Sequence, residues 1–179
     1  MELLAGLFGG FGAIVLWEAF LKPLSDRRQT ARVLAAEIRW HLQHFHEIIE
    51  IRSRDPGMVP QDRPFTHPGF EAVGSAIGAL PSDVLIDVLA FYRTADTIAS
   101  LTKDFAEADA PDLGLLEDFD GILSVQAVDG SKLLARLERL GGGKHLGLRL
   151  DDEERKRIAS LAEAHVTTVQ RRSELRRRK

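Results

Sequence analysis

The feature that most constrains this chain is its first segment, LLAGLFGGFGAIVLWEAFL, which spans residues 3–21 and contains one charged residue, Glu18. As a helix this segment would be about 28 Å long, close to the roughly 30 Å of apolar thickness in a bilayer. Glu18 lies near the end of the segment, where its cost is below the about 3 kcal/mol expected at the bilayer centre, and Lys22 can pair with it. The segment therefore predicts a transmembrane helix with Trp17 and Lys22 as interfacial anchors.

Two other interpretations of this segment are less favoured. A cleaved signal peptide needs a basic start and a small-residue cleavage pattern, and neither is present. A helix buried in a soluble domain or a partner would contain four glycines, each costing about 1 kcal/mol in helix propensity. The second interpretation remains as an alternative, in which the chain is a helical subunit of a larger membrane-associated complex.

The residues around the apolar run predict an orientation and a packing surface. Basic residues follow it at positions 22, 27, 28 and 32 and none precedes it, so the positive-inside rule places the rest of the chain in the cytoplasm, on the inner (plasma) membrane. Small residues also recur on one side of the predicted helix, and such a stripe lets two membrane helices approach closely. The stripe comprises Ala5, Gly6, Gly9, Gly10 and Ala13.

Beyond Pro23 the hydrophobic period is helical. Apolar residues repeat with a spacing near 3.6 in segments that predict long helices over about 25–52, 82–103 and 115–140, a short helix over 70–80, and a last helix from about 151. Ser25-Asp26 is expected to cap the first long helix, Asp129-Gly130 to kink the third, and the glycines from 141 to end it. We find no strand pattern. The predicted fold is all-α: an N-terminal single transmembrane helix (1–23), an antiparallel four- to five-helix bundle (24–170) and a basic tail (171–179).

The first long helix has two apolar sides. One side forms the predicted core seam of Ala31, Leu34, Ile38, Leu42, Phe45 and Ile49. Val33, Trp40 and Ile51 form a second stripe, which indicates that two neighbours cover the helix. The segment after it, RDPGMVPQDRPFTHPG (54–69), has no helical period and four prolines, and it is expected to form a long loop laid over the bundle.

Composition excludes several kinds of function. The chain has no cysteine, so disulfides, thiolate catalysis and thiolate-bound metals are excluded. Its net charge of −3 gives no global field for nucleic acid, which we do not expect as a partner. The C-terminal tail is locally basic and is a candidate contact for anionic lipid, against the alternative of a solvated helix end. Its bases are Arg171, Arg172, Arg176, Arg177, Arg178 and Lys179.

The stretch HLQHFHE (41–47) is the richest in groups that bind metals. Helical spacing places Glu37, His41 and His44 on one face, and His165 on the seam of the last helix is a further candidate ligand. The pattern is neither HExxH nor the paired Glu-x-x-His of diiron bundles. Histidines at the edge of an apolar face, each with one hydrogen bond, are therefore the favoured interpretation, and no cofactor is expected.

Other motif-like stretches fail on spacing. GGGKHLG (141–147) departs from a phosphate loop because Glu138 and His145 occupy the positions of the first glycine and the Ser/Thr. LEDFDG (116–121) fails as a calcium loop because Leu116 and Ala127 fall at the first and twelfth positions. No nucleophile elbow is present, so no catalytic residue is expected. Tyr92 and Asp96, one turn apart, are more typical of a buried hydrogen bond than of a site.

The function that these patterns favour is that of a non-enzymatic, membrane-anchored interaction protein. Its layout, a glycine-rich anchor before a charged helical domain, is typical of small bacterial membrane proteins. Its expected partners are the lipid bilayer and either a second copy of the chain or another protein. A metal-binding bundle, including a metalloenzyme, that uses Glu37, His41, His44 and His165 is the first alternative, and the subunit of a larger complex is the second.

Overall fold

The computed structural model describes residues 21–55, 57–58, 65–108 and 113–142, together with 156, 158–160, 162–163 and 167. These residues are helical apart from their connections and contain no strand, which confirms the predicted all-α class. No helix in this part of the chain combines the length and the apolar character needed to cross a membrane. The predicted transmembrane segment lies outside the described residues, except for its last positions.

Three long helices form the core. They are α1 (Lys22–Arg54), α3 (Ser82–Glu107) and α4 (Leu113–Leu140). Between α1 and α3 lie a short helix, α2 (Pro68–Val73), and a 3-10 helix, η1 (Gly74–Ala79). The helical residues from Lys156 onward belong to the predicted last helix, and two of them, Ile158 and Ala162, are buried.

Cross-helix contacts give the direction of each helix. Arg52, near the end of α1, pairs with Asp120, near the start of α4, whereas Arg32 Nε donates to the carbonyl of Gly141 at the other end (2.7 Å). Phe105 and Phe119 likewise meet where α3 ends and α4 begins. Both α1 and α3 are therefore antiparallel to α4 and parallel to each other. The segment between α1 and α3, which contains α2 and η1, is thus a crossover and not a hairpin.

The predicted core seam of α1 is confirmed. So is that of α4, for which the apolar period predicts six inward residues: Leu116, Phe119, Leu123, Ala127, Leu134 and Leu137. Every predicted inward residue of these two helices is buried, since a 3.6-residue apolar period places one stripe on one side of a helix. The second stripe of α1 differs from expectation. Trp40 and Ile51 remain 45% and 42% exposed, so none of the described residues supplies the second neighbour that the sequence predicted.

One local expectation about helix ends is wrong, and another is confirmed. The first helix begins at Lys22 and not at Ser25, because Pro23 sits in the first turn, where its missing N–H costs nothing. Helix α4 continues through Gly130 without a break. It ends where expected, at Leu140, and Gly142 just beyond it has a φ of +67°, the left-handed conformation that favours glycine.

The role of Gly130 is close packing. A Cβ added there would lie 2.7 Å from Cε2 of Phe91 and 2.8 Å from Cδ2 of Leu42, so the absent side chain allows all three long helices to meet. We expect Gly130→Ala to destabilise the bundle by about 1–3 kcal/mol through overpacking, despite the higher helix propensity of alanine.

Thermal unfolding of the full-length chain followed by circular dichroism measures this effect. Gly78→Ala is the matched control, because nothing lies within 4 Å of its added Cβ. Equal unfolding temperatures for the two variants would show that the helices do not meet at Gly130.

Candidate functional site

A cluster of hydrogen-bonded polar groups lies where the segment between α1 and α3 packs on α1. We call residues 65–73, which include α2, the strap. Its contacts step backward along α1: the ring of Phe65 lies against His44 and Phe45, His67 reaches His41, and Gly69 and Phe70 reach Glu37. The strap therefore runs antiparallel to α1 and covers the groove between α1 and α3.

Glu37 holds the strap through its carboxylate. One oxygen accepts from the backbone N–H of Gly69 (2.7 Å), and the other accepts from the N–H of Phe70 (2.8 Å) and from the hydroxyl of Tyr92 on α3 (2.6 Å). These N–H groups begin a short helix and lack intrahelical partners, so the side chain of another helix acts as the cap. The close approach favours a glycine, because a Cβ on Gly69 would lie 3.1 Å from Cδ of Glu37 and the carboxylate would have to shift by a few tenths of an ångström.

Tyr92 closes this arrangement from the α3 side. Its ring packs against that of Phe70 (centroids 4.3 Å apart), and it is 3% exposed. Burial raises the pKa of Tyr92 far above its usual value of 10, and the hydrogen bond to Glu37 adds to this effect. Tyr92 is therefore a neutral hydrogen-bond donor at every physiological pH.

Two histidines and a carboxylate form a second chain of hydrogen bonds beside the first. Nε2 of His67 lies 2.8 Å from Oδ1 of Asp96, and its Nδ1 lies 3.1 Å from Nε2 of His41. His41 is completely buried, whereas Asp96 is at the surface. These hydrogen bonds thus connect solvent, through the strap, to the core.

When both rings are neutral, the hydrogen-bond partners determine which nitrogen of each carries the hydrogen. The carboxylate of Asp96 can only accept, so Nε2 of His67 carries a hydrogen and its Nδ1, in the neutral ring, accepts from Nε2–H of His41. Nδ1 of His41 then has neither a hydrogen nor a partner, and it is buried. Burial, followed by the neighbouring His67, lowers the pKa of His41 from 6.5 to about 4.

The predicted metal ligands have other partners in the described part of the chain. Glu37 caps the strap and His41 bonds His67, while His44 stacks on Trp40 and its Nδ1 lies 3.6 Å from Glu47. No three His, Asp or Glu side chains among the described residues are arranged to hold a metal ion. His165 lies outside these residues. Glu37, His41 and His44 do lie on one face of α1, as the sequence pattern indicated, and all three contact the strap.

Sequence reasoning missed His67 and the link between Tyr92 and Glu37. Tyr92 and Asp96, expected to share a buried hydrogen bond, instead each bond a different residue. One sequence feature could have marked His67 as the residue that precedes a helix. It stands before Pro68, and proline favours the first turn of a helix. Nothing local indicated which side chain this boundary residue would meet.

Other predicted site residues are only partly described. Lys22 is the exposed first residue of α1, whereas Trp17, the small-residue stripe and the basic tail (171–179) lie outside the described residues. Comparison of the chain with protein-family models, curated proteins and solved structures gave no match.

Proposed function

We propose that this chain is a single-pass membrane protein that uses its cytoplasmic bundle to bind another protein or a second copy of itself, without catalysing a reaction. The observation that carries this proposal is the start of α1. Nearly every residue from Leu21 to Gln29 is exposed, and burial begins at Thr30. About two helical turns therefore extend beyond the bundle, directly after the apolar run of residues 3–21.

The composition of this extension fits a membrane-proximal stalk. Leu21 and Leu24 are 47% and 50% exposed, which is costly in water and favourable next to lipid. Basic residues at positions 22, 27 and 28 accompany them and would lie within reach of anionic headgroups. The same bases support a cytoplasmic location through the positive-inside rule.

Two apolar surfaces support binding to a protein partner. Trp40 and Ile51 lie three turns apart on the outer side of α1, and Ile86 and Leu89 lie one turn apart on α3, all more than 40% exposed. Exposed large apolar residues in rows are typical of interaction surfaces. In the apolar run, the small-residue stripe favours close packing of two copies.

Carbonate extraction of membranes tests the anchor. We expect the full-length chain to stay in the membrane pellet at alkaline pH, because a spanning helix is held by its apolar surface and a peripheral protein is not. Release into the supernatant would overturn the proposal and favour the peripheral subunit of a complex.

The absence of cysteine allows a matched test of orientation. Ser100→Cys places a thiol on an exposed position of α3, and Glu2→Cys places one before the apolar run. A membrane-impermeant maleimide should label Glu2→Cys in intact cells and Ser100→Cys only after lysis. The reverse pattern would contradict the cytoplasmic location.

Self-association is tested by crosslinking in membranes. We expect Gly9→Leu/Gly10→Leu to reduce the crosslinked dimer several-fold, because bulky residues in the stripe keep the two backbones apart. Val15→Leu, which helical spacing places on another side, is the control. An unchanged dimer in the glycine variant would show that copies do not meet through this stripe.

A further inference from the structure

The strap packs on His41, whose ring is disfavoured in its doubly protonated form while the strap is closed. Protonated His41 would carry hydrogens on both nitrogens. Among the described residues its Nδ1 has no hydrogen-bond partner, and the ring is surrounded by Phe45, Phe65 and Phe91 at centroid distances near 6 Å. A charge here is neither solvated nor matched by an acceptor at Nδ1, which disfavours the charged form.

The contact between His41 and His67 does not accommodate a hydrogen on both of the nitrogens that face each other. With both rings protonated, two N–H groups would face each other across the 3.1 Å between Nε2 of His41 and Nδ1 of His67. Each ring is free of this conflict once the strap moves away, because water then accepts from both. Proton binding and strap closure therefore oppose each other.

We propose that the strap is an acid-sensitive latch: protonation of the buried His41 releases residues 65–73 from α1 and uncovers the aromatic groove between α1 and α3. The inference concerns the bundle itself and does not depend on the membrane anchor. The uncovered groove adjoins exposed Trp40, whose ring touches those of His41 and His44. Release would thus extend the apolar surface of α1 at which a partner is proposed to bind.

The charged groups around His41 set the direction of the effect. From α1, Glu37 favours its charged form and His44 opposes it; from the strap, His67 opposes it; and from α3, Asp96 favours it and Tyr92 stays neutral. Burial is the largest influence and lowers the pKa of His41 to about 4. A released His41 returns toward 6.5, so closure is fully favoured above about pH 6.5 and weakens progressively down to about pH 4.

Hydrogen exchange at the strap amides measures the release directly. The N–H groups of Gly69 and Phe70 are bonded to Glu37 only while the strap is closed. For the full-length chain in mild detergent, we expect their protection, corrected for intrinsic exchange, to fall about 20-fold between about pH 7 and pH 5. Amides in the middle of α4, around Leu123, should keep their protection and thereby report an intact bundle.

Two variants separate the latch from general acid sensitivity. His41→Gln places an amide near the position of Nε2 without a titratable ring, and it should remove most of the pH dependence at Gly69 and Phe70. His44→Gln, one turn away on the same helix, should retain it. Equal pH dependence in wild-type chain and His41→Gln, or equal loss of protection in the strap and in α4 of the wild-type chain, would overturn the proposal.

Discussion

We expect Glu37→Ala to lower the free energy of unfolding by about 3 kcal/mol, because it leaves two backbone N–H groups and one buried hydroxyl without an acceptor. The three donors belong to Gly69, Phe70 and Tyr92. An unsatisfied buried donor costs about 1–3 kcal/mol, and the total is limited because the strap can detach and let water reach these groups. The corresponding fall in unfolding temperature is about 6–12 °C for a chain of this size.

Glu37→Gln and Tyr92→Phe refine this expectation. The amide of Gln retains one acceptor oxygen, so Glu37→Gln should lower the free energy of unfolding by about half as much as Glu37→Ala. Tyr92→Phe should lower it by about 1 kcal/mol, because it removes one donor. Adding Tyr92→Phe to Glu37→Ala should then cost less than it does alone, since its hydroxyl has already lost its acceptor.

Thermal unfolding at neutral pH measures these differences in the full-length chain. Glu50→Ala is the control, because among the described residues Glu50 pairs with the exposed Arg54 on the same helix, in a contact worth a few tenths of a kcal/mol. An unfolding temperature of Glu37→Ala equal to that of Glu50→Ala would show that Glu37 does not hold the strap.

The helices could be predicted from sequence because their signal is local. The seam of α1 from Ala31 to Ile49 and that of α4 from Leu116 to Leu137 follow the helical period, and both are buried as expected. The grouping of Glu37, His41 and His44 on one face was also predictable, since three and four residues separate them along the helix.

What that face binds could not be predicted. The strap lies between 20 residues (Phe45 to Phe65) and 33 residues (Glu37 to Phe70) further along the chain than the α1 residues it contacts, in a proline-rich stretch with no period to indicate which side of α1 it follows. A carboxylate that caps backbone amides and one that binds a metal look alike in sequence, because both require only oxygen acceptors at a helical spacing. The difference arises from tertiary contact alone.

Gly130 shows the same limit in the core. Glycine within a helical pattern indicates either a flexible point or a close approach of another element. The neighbours that decide between them, Phe91 and Leu42, lie on two other helices. The sequence therefore identified Gly130 as an unusual position but did not reveal its role in packing.

The other large effect is expected at the end of the bundle where the crossover leaves α1. The side chain of Arg52 is only 3% exposed, and its guanidinium donates to both carboxylate oxygens of Asp120 and to the carbonyl of Met58. It therefore ties α1 to α4 and to the first residues of the crossover. We expect Asp120→Ala to destabilise the chain by about 3–5 kcal/mol, because it leaves a buried charge without its counterion.

The double variant shows whether Asp120→Ala destabilises the chain by removing an ion pair or by leaving the buried charge of Arg52 without its counterion. Arg52→Met/Asp120→Ala removes both charges and keeps an apolar stem in place of the arginine, so it should be more stable than Asp120→Ala alone. Arg52→Met alone should cost less than Asp120→Ala, because Asp120 is 29% exposed and retains hydration. Urea unfolding of the full-length chain measures all three, with Arg54→Met, whose side chain is 77% exposed, as the control. A double variant less stable than Asp120→Ala would mean that the guanidinium stabilises the bundle through Met58 and its packing even without a counterion.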